Sequence, residues 1–319
     1  MQVMFYESFL EEEKELRKLL PKNIRAGFTW KTIQEKKDLT PPADIICIRT
    51  QSQIPTSWAP RLKGILTRSQ GYDHLIAFRQ KTKTKIPSGY LSEYCSRAVA
   101  EQAILAAMTL WRKLKRQMRQ FNQFNRDDLT GFECCGKRAL VVGVGTIGSQ
   151  IAAIAKGLGI SVKGVDIKRR SRNLEYVSLQ NGIVWADVIF CATPLTEKTR
   201  GLLDYNVLKR AKPDTILINI SRGEITPIKD LNRLLAQGIL GGLSLDVYPQ
   251  EGELGHSLRA GKKTKIADHK IILELKNHDN VLFTPHNAFN TQEALRNKAE
   301  LTVRSIVSFL KKGKFPLSI

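Results

Sequence analysis

The sequence predicts an α/β protein built as two parallel-sheet domains, and three observations carry that prediction. Its 319 residues exceed the span of one ordinary domain. From about Lys137 onward, short apolar, β-branched runs alternate with helical segments, the pattern of βαβ units on a parallel sheet. Ahead of that block the chain has α/β character of its own, so a smaller unit precedes the larger one.

In order, ADIICIRT (43–50) and LKGILTRS (62–69) read as strands running into polar turns, and Ala98 to about Met118 as one long helix. ALVVGVG (139–145) reads as a buried strand, IGSQIAAIAKGLG (147–159) as a helix ended by glycine, and SVKGVD (161–166) as the next strand. VIFCAT (188–193), TILINI (215–220), LGGLSLDV (240–247) and NVLFTP (280–285) supply four more. Beyond Pro285 the pattern is helical, in TQEALRNKAELTVRSIVSFLKK, and a terminal helix of this kind packs back on the first domain. The expected domains are residues 1–97 completed by 288–319, and residues 98–287.

Composition narrows the function. With 42% hydrophobic and 25% charged residues the chain matches a soluble globular protein. The longest mostly apolar stretch, Ala98 to Trp111, contains Glu101 and is too short to span a bilayer. MQVMFYESFLEEEKEL places acids where an export signal needs a basic start and an unbroken apolar run, so a cytoplasmic protein is expected. Five cysteines, with Cys134 and Cys135 adjacent and no Cys-x-x-Cys, fit reduced thiols, and no metal site is expected. A net charge of +21 favours acidic small molecules or phosphates. The basic runs at Lys81–Lys85, Arg112–Arg119 and Lys168–Arg172 lack interleaved aromatics, so nucleic-acid binding is not the expected primary function.

Gly143-Val144-Gly145-Thr146-Ile147-Gly148 is a G-x-G-x-x-G between a strand and a helix. The first glycine permits the tight turn, the second lets backbone approach a pyrophosphate, and the third lets helix and strand pack closely. Thr146 and Ile147 open the helix, whose N-terminal N–H groups face the phosphates. Asp166 ends the next strand, where a carboxylate accepts hydrogen bonds from adenosine ribose and repels a 2'-phosphate. NAD is therefore preferred over NADP, although Arg169 and Arg170 pull the other way, and the larger domain is a Rossmann-type doubly wound sheet.

Arg222, Glu251 and His286 each stand at or just beyond the C-terminal end of a strand, the side where open parallel sheets bind ligands. A guanidinium holds a carboxylate and its neighbouring carbonyl, an imidazolium protonates the alkoxide as hydride arrives, and a carboxylate orients that imidazole. Singly each residue is an ordinary surface or cap group; their order after a fingerprint gives them weight. His74, His256, His269 and His278 read as structural or solvent residues, and Ser69 and Ser221 lack a nucleophile elbow.

These motifs identify a family. The stretch Glu133 to Thr291 resembles the D-isomer-specific 2-hydroxyacid dehydrogenases: GFECCGKRALVVGVGTIG, CATPLTEKTRGLLD, LINISRGEI and SLDVYPQE are similar to its cofactor-domain motifs, in order, and TPHNAFNT to its histidine signature. The resemblance implies Arg222, Glu251 and His286 as the catalytic set, Asp246 near the nicotinamide carboxamide, and Thr193 and Pro194 beside the cofactor. In the smaller domain, implied to be flavodoxin-like, Arg68-Ser69-Gln70-Gly71-Tyr72-Asp73 resembles the turn whose backbone meets the substrate carboxylate through Gln70 and Gly71. A homodimer joined through cofactor domains is also implied.

Departures bear on the branch. His74 and Leu75 follow Asp73 where the family usually has Asn and an acid, Thr226-Pro227 replaces a common acidic pair, and Gly252 follows Glu251 where proline is usual. The long interval from Glu251 to His286, with GKKTKIADHK in it, leans toward the D-lactate dehydrogenase-like branch. The expected activity is NADH-dependent reduction of a small 2-oxoacid to a D-2-hydroxy acid. The rivals are a dinucleotide-sensing scaffold like the transcriptional corepressors of this fold, and a glyoxylate or hydroxypyruvate reductase.

Overall fold

A computed structural model describes residues 2–319, and the chain divides into two compact units. One comprises the residues up to Cys95 together with Asn290–Ile319, the other Ser96–Phe289.

The first unit holds five parallel strands, β1 (Val3–Phe5), β2 (Ala26–Phe28), β3 (Ile45–Ile48), β4 (Gly64–Thr67) and β5 (Ser88–Gly89), in the order β2-β1-β3-β4-β5. That is the flavodoxin-like order, with the switch point between β1 and β3. β3 and β4 are apolar runs buried along their whole length, as a sheet covered on both faces requires. The other three went unread because β1 has three residues, β2 is Ala-Gly-Phe with weak strand preference, and β5 has two. The helix Gln292–Lys312 packs in this unit through Leu295, Ala299, Ile306 and Phe309.

The second unit holds seven parallel strands, β6 (Arg138–Val142), β7 (Ser161–Val165), β8 (Glu175–Tyr176), β9 (Val188–Cys191), β10 (Thr215–Asn219), β11 (Leu240–Leu245) and β12 (Val281–Phe283). Their order is β12-β11-β10-β9-β6-β7-β8, with the switch point between β6 and β9. Two apolar layers flank the sheet, one including Leu140, Ile189 and Leu217, the other Val141, Phe190 and Ile218. The strands end one to three residues short of the apolar runs read from the sequence, because the run continues into the loops that follow β6, β9, β11 and β12.

The long helix expected from Ala98 to Met118 is two helices, Ser96–Trp111 and Leu114–Gln120. The break lies at Lys113, whose φ of 50° is left-handed. The returning chain satisfies the broken end: Phe132 N donates to Trp111 O, and Lys113 Nζ to Asp128 O. Among the described residues no helix is long and apolar enough to cross a membrane, no cluster of His, Cys, Asp or Glu is placed to hold a metal, and the five cysteines are free.

Candidate active site

The fingerprint lies at the second unit's switch point. Gly143, just past β6, has φ of 94°, and a Cβ there would fall 2.6 Å from Thr193 N beyond β9. Only glycine lets the ends of β6 and β9 approach so closely. A Cβ on Gly148 would fall 2.0 Å from Gly143 O, so helix Thr146–Gly157 can sit against its strand only without one. Gly145 differs: nothing lies within 4 Å of its Cβ position. That open approach to backbone at a helix N-terminus fits a pyrophosphate, so the residues present suit a dinucleotide.

Asp166 follows β7, and its Oδ2 accepts from Val144 N at 2.7 Å while Oδ1 accepts from Lys168 N at 2.8 Å. The carboxylate thus braces the fingerprint turn as well as standing where ribose is expected. Beyond β9, Thr193 O accepts from the Ser221 hydroxyl, and Pro194 O from Thr199 Oγ1 at 2.7 Å.

Arg222 lies in a turn that sequence reasoning left without support. Asn219, fully buried at the end of β10, donates to Arg222 O at 2.9 Å and to Thr226 Oγ1 at 2.8 Å, and its Oδ1 accepts from Ser221 N. Thr226, a departure from the family pattern, is therefore a hydrogen-bond partner of the residue that fixes Arg222. Its signal was a lone amide in an apolar strand. A Cβ on Gly223 would fall 2.2 Å from Tyr248 C, which puts this turn against the chain leading to Glu251.

His286 Nδ1 lies 2.8 Å from both Oε1 and Oε2 of Glu251, and the side chains keep 18% and 16% of their exposure. Glu251 opens helix Glu251–Arg259 directly after Gln250, at φ of 49°, and His286 itself has φ of 52°. Two left-handed residues thus flank the contact, and strain concentrated there persists only where the surroundings hold it. Asp246, after β11, does much of that holding. Its Oδ1 accepts from Thr284 Oγ1 at 2.5 Å and Asn287 N at 2.8 Å, and Oδ2 from Ala288 N at 2.9 Å. Burial pushes the Asp246 carboxyl above the usual range, against the pull of His286 and these hydrogen bonds. The Tyr248 hydroxyl donates to Thr284 O at 2.8 Å. His269, one of the four histidines assigned to structure or solvent, is fully buried between Thr264 Oγ1 and Pro249 O, and so ties the basic loop to the residues before Glu251.

In the first unit, the loop after β4 is organised by its own side chains. Ser69 Oγ lies 2.7 Å from Thr67 Oγ1 and donates to Gly71 O at 2.7 Å, curling the chain around Gln70. His74 Nε2 lies 3.0 Å from Thr67 Oγ1, and the Tyr72 and Tyr90 rings meet at 4.5 Å.

A doubly wound sheet carrying this fingerprint and a carboxylate-held histidine defines a dinucleotide-dependent oxidoreductase. The family model for the NAD-binding domain of D-isomer specific 2-hydroxyacid dehydrogenases matches residues 102–288. The chain is 31% identical over 288 residues to 2-hydroxyacid dehydrogenase A of Aspergillus oryzae, covering 87% of this chain and 82% of that one. It is 34% identical over 227 residues to the D-lactate dehydrogenase of Escherichia coli K12, covering 69% and 68%. The crystal structure of D-lactate dehydrogenase from Aquifex aeolicus complexed with NAD and lactic acid is similar with a TM-score of 0.84 at 28% identity, covering 99% of each chain. The chain belongs to the D-isomer-specific 2-hydroxyacid dehydrogenase family, and its cofactor is NAD.

Proposed function

We propose that the protein reduces a small 2-oxoacid of the pyruvate type to its D-2-hydroxy acid, with Arg222, Glu251 and His286 as the catalytic set. The observation that carries this reading is the contact of His286 Nδ1 with both carboxylate oxygens of Glu251 at 2.8 Å. With Nδ1 held, Nε2 is the nitrogen that exchanges a proton with the substrate oxygen. Arg222 binds the substrate carboxylate and its neighbouring carbonyl; in the first unit, the backbone of Gln70 and Gly71 is assigned to the carboxylate on the family resemblance. Bound NADH supplies the hydride that reaches C2. The C2–O π bond breaks toward oxygen, His286 Nε2–H protonates that oxygen, and the products are the hydroxy acid and NAD⁺.

Residues 143–148 would hold the pyrophosphate, Asp166 the adenosine ribose, and Thr193, Pro194 and Asp246 the nicotinamide side. On this reading 98–287 is the cofactor domain and 1–97 with 288–319 the substrate domain. The lactic acid in the similar Aquifex aeolicus structure supports the substrate class. A cytoplasmic homodimer is part of the same proposal, supported by the exposed Met118, Phe121 and Phe124 on the second unit.

Turnover of pyruvate, longer 2-oxoacids, glyoxylate and hydroxypyruvate with NADH tests the reading. Preference for pyruvate, with the D-enantiomer formed, is the expected result. Preference for glyoxylate or hydroxypyruvate moves the substrate class, and NADH binding without turnover points to a scaffold.

A further inference from the structure

The first unit places charged groups deep inside its own switch point. Arg68, the residue that opens the loop after β4, is fully buried, as are Glu12 and Lys298. Its Nη1 donates to Cys47 O at 2.8 Å, and Nη2 to Tyr6 O at 2.9 Å and Glu7 O at 3.2 Å, so it joins the C-terminal ends of β1 and β3. Its Nε donates to Glu12 Oε1 at 3.0 Å and Nη2 also to Oε2 at 3.2 Å. Lys298, on the helix Gln292–Lys312, meets the same Glu12 oxygen at 2.6 Å. The backbone N of Arg68 donates to Ile48 O at 2.8 Å, so Arg68 fixes where the loop Ser69–Asp73 leaves the sheet.

A methionine in place of Lys298 would fill similar volume without burying a charge, and isosteric apolar replacements of buried ion pairs are commonly neutral or stabilising. The Lys298 ammonium adds a second cation to the buried Glu12–Arg68 pair under the loop, so its charge acts directly on that pair. We propose that Glu12 and Lys298 are positioning residues for the substrate carboxylate, acting through Arg68 on the Gln70–Gly71 loop, and that the charge of Lys298 sets the affinity for the 2-oxoacid. The proposal rests on the reading that this loop binds the substrate carboxylate.

The groups facing Lys298 are Glu12 from helix Leu10–Leu19, Arg68 after β4, Arg49 after β3, and Cys95, with Glu7, Cys47 and Tyr94 around them. Burial pushes the Lys298 ammonium down to about 7, helped by Arg49 and Arg68 and opposed by Glu12. Lys298 therefore carries its charge below neutrality and loses it above. Charged, it divides Glu12 between two cations and adds positive potential beneath the loop; neutral, it leaves Glu12 to Arg68 alone.

The probe is oxamate, a 2-oxoacid isostere, bound to the enzyme–NADH complex between pH 6 and 8.5. Lys298→Met should bind it about fivefold more weakly than the native protein at pH 6 and equally at pH 8.5. Lys298→Arg, charged throughout, should match the native protein at pH 6 and bind about fivefold more tightly at pH 8.5. Taking ratios to the native protein cancels any pH dependence common to all three. NADH affinity and kcat should stay within about twofold, a split that a merely structural lesion would not produce. A Met-to-native ratio that stays near one from pH 6 to 8.5 overturns the proposal, as does equal weakening of NADH. Hydrogen exchange separates the two failures. If oxamate protects the amides of residues 69–72 while the ratio stays flat, the role of Lys298 is wrong and the loop reading stands. If those amides are unprotected in the native complex, the loop reading falls and the proposal with it.

Discussion

Each sheet of this molecule has one switch point, and the two are used in opposite ways. In the seven-stranded unit, the gap beyond β6 and β9 is lined by glycines and kept clear, with empty space at the Cβ position of Gly145. In the five-stranded unit, the gap beyond β1 and β3 is filled from within by Arg68, held by Glu12 and Lys298. The same topology frees strand-end backbone in both cases. Where the N-terminus of the following helix is left clear, as at Gly145, a ligand can take its N–H groups; where an arginine reaches in, the carbonyls are satisfied and the site becomes an anchor. The carboxylates follow the same division. Glu251 and His286 keep some exposure, whereas Glu12 and Lys298 keep almost none.

The sharpest test of that division is to change one member on each side. His286→Asn keeps a residue type that tolerates the left-handed φ of 52°, and its amide can still donate to Glu251, but it cannot transfer a proton. We expect kcat to fall by about 10³-fold with little change in thermal stability, measured by single-turnover kinetics and calorimetry. Substantial residual turnover would assign the proton to another group.

Glu12→Gln is the counterpart. It leaves Arg68 and Lys298 buried without their anion, and stability should fall by about 3–5 kcal/mol, read from denaturant unfolding. Burial alone would raise the Glu12 carboxyl, but Arg68 and Lys298 outweigh it and hold it below the usual carboxylate range. Its contribution is therefore present above about pH 4.5 and lost on acidification below that. Lys298 runs the other way. Between about 7 and 10.5 the unfolded chain binds a proton that the folded chain does not, so stability rises with pH across that window. Lys298→Met should gain most stability over the native protein below pH 7 and lose that advantage toward pH 10; a pH-independent difference in Tm would contradict the burial of a charge.

The fingerprint glycines divide by the same logic. Gly145→Ala meets no protein atom, so NADH should bind about tenfold more weakly at unchanged Tm. Gly148→Ala drives a Cβ into Gly143 O, so stability should fall first. Titrations of both variants with NADH, set beside their melting curves, would expose any exchange of roles. The smallest effect is expected at Asp166. Asp166→Ser removes the charge that repels a 2'-phosphate and leaves Arg169 and Arg170, so the ratio of NADPH to NADH affinity should rise several-fold. An unchanged ratio would leave Asp166 only its bonds to Val144 N and Lys168 N.

Legibility tracked how far each feature depends on neighbours in the chain. Six strands of the second sheet were readable because each apolar run is followed by a loop of distinctive residues, and Gly143 to Gly148 is contiguous; the two-residue edge strand β8 gave no such run. Arg222, Glu251 and His286 could be picked out because each follows such a run. The smaller sheet was half hidden, since β1, β2 and β5 are too short to show periodicity. Glu12 stands in EEEKEL among exposed and half-buried acids of the same type, and nothing local marks the one that turns fully inward. Lys298 did carry a signal, because it occupies the helical register of Leu295, Ala299, Thr302 and Ile306, all on the inward face. Asn219 carried one too, as a lone amide ending an apolar strand. The kink at Lys113 had none, because the chain that stabilises it arrives from residues 128–132.

The interleaved architecture also orders events at the ribosome. Residues 96–289 emerge as one uninterrupted stretch and can close their sheet as soon as they are out, whereas β1 to β5 are made first and completed last. Arg68 and Glu12 can meet early, both lying in the opening segment. Lys298 and the helix that covers that unit arrive only after the whole intervening unit has been translated, a delay of roughly 10 to 40 s at ordinary elongation rates. For that interval the apolar surface that Leu295, Ala299 and Ile306 later cover stays open to solvent, and the return of their helix is what closes it.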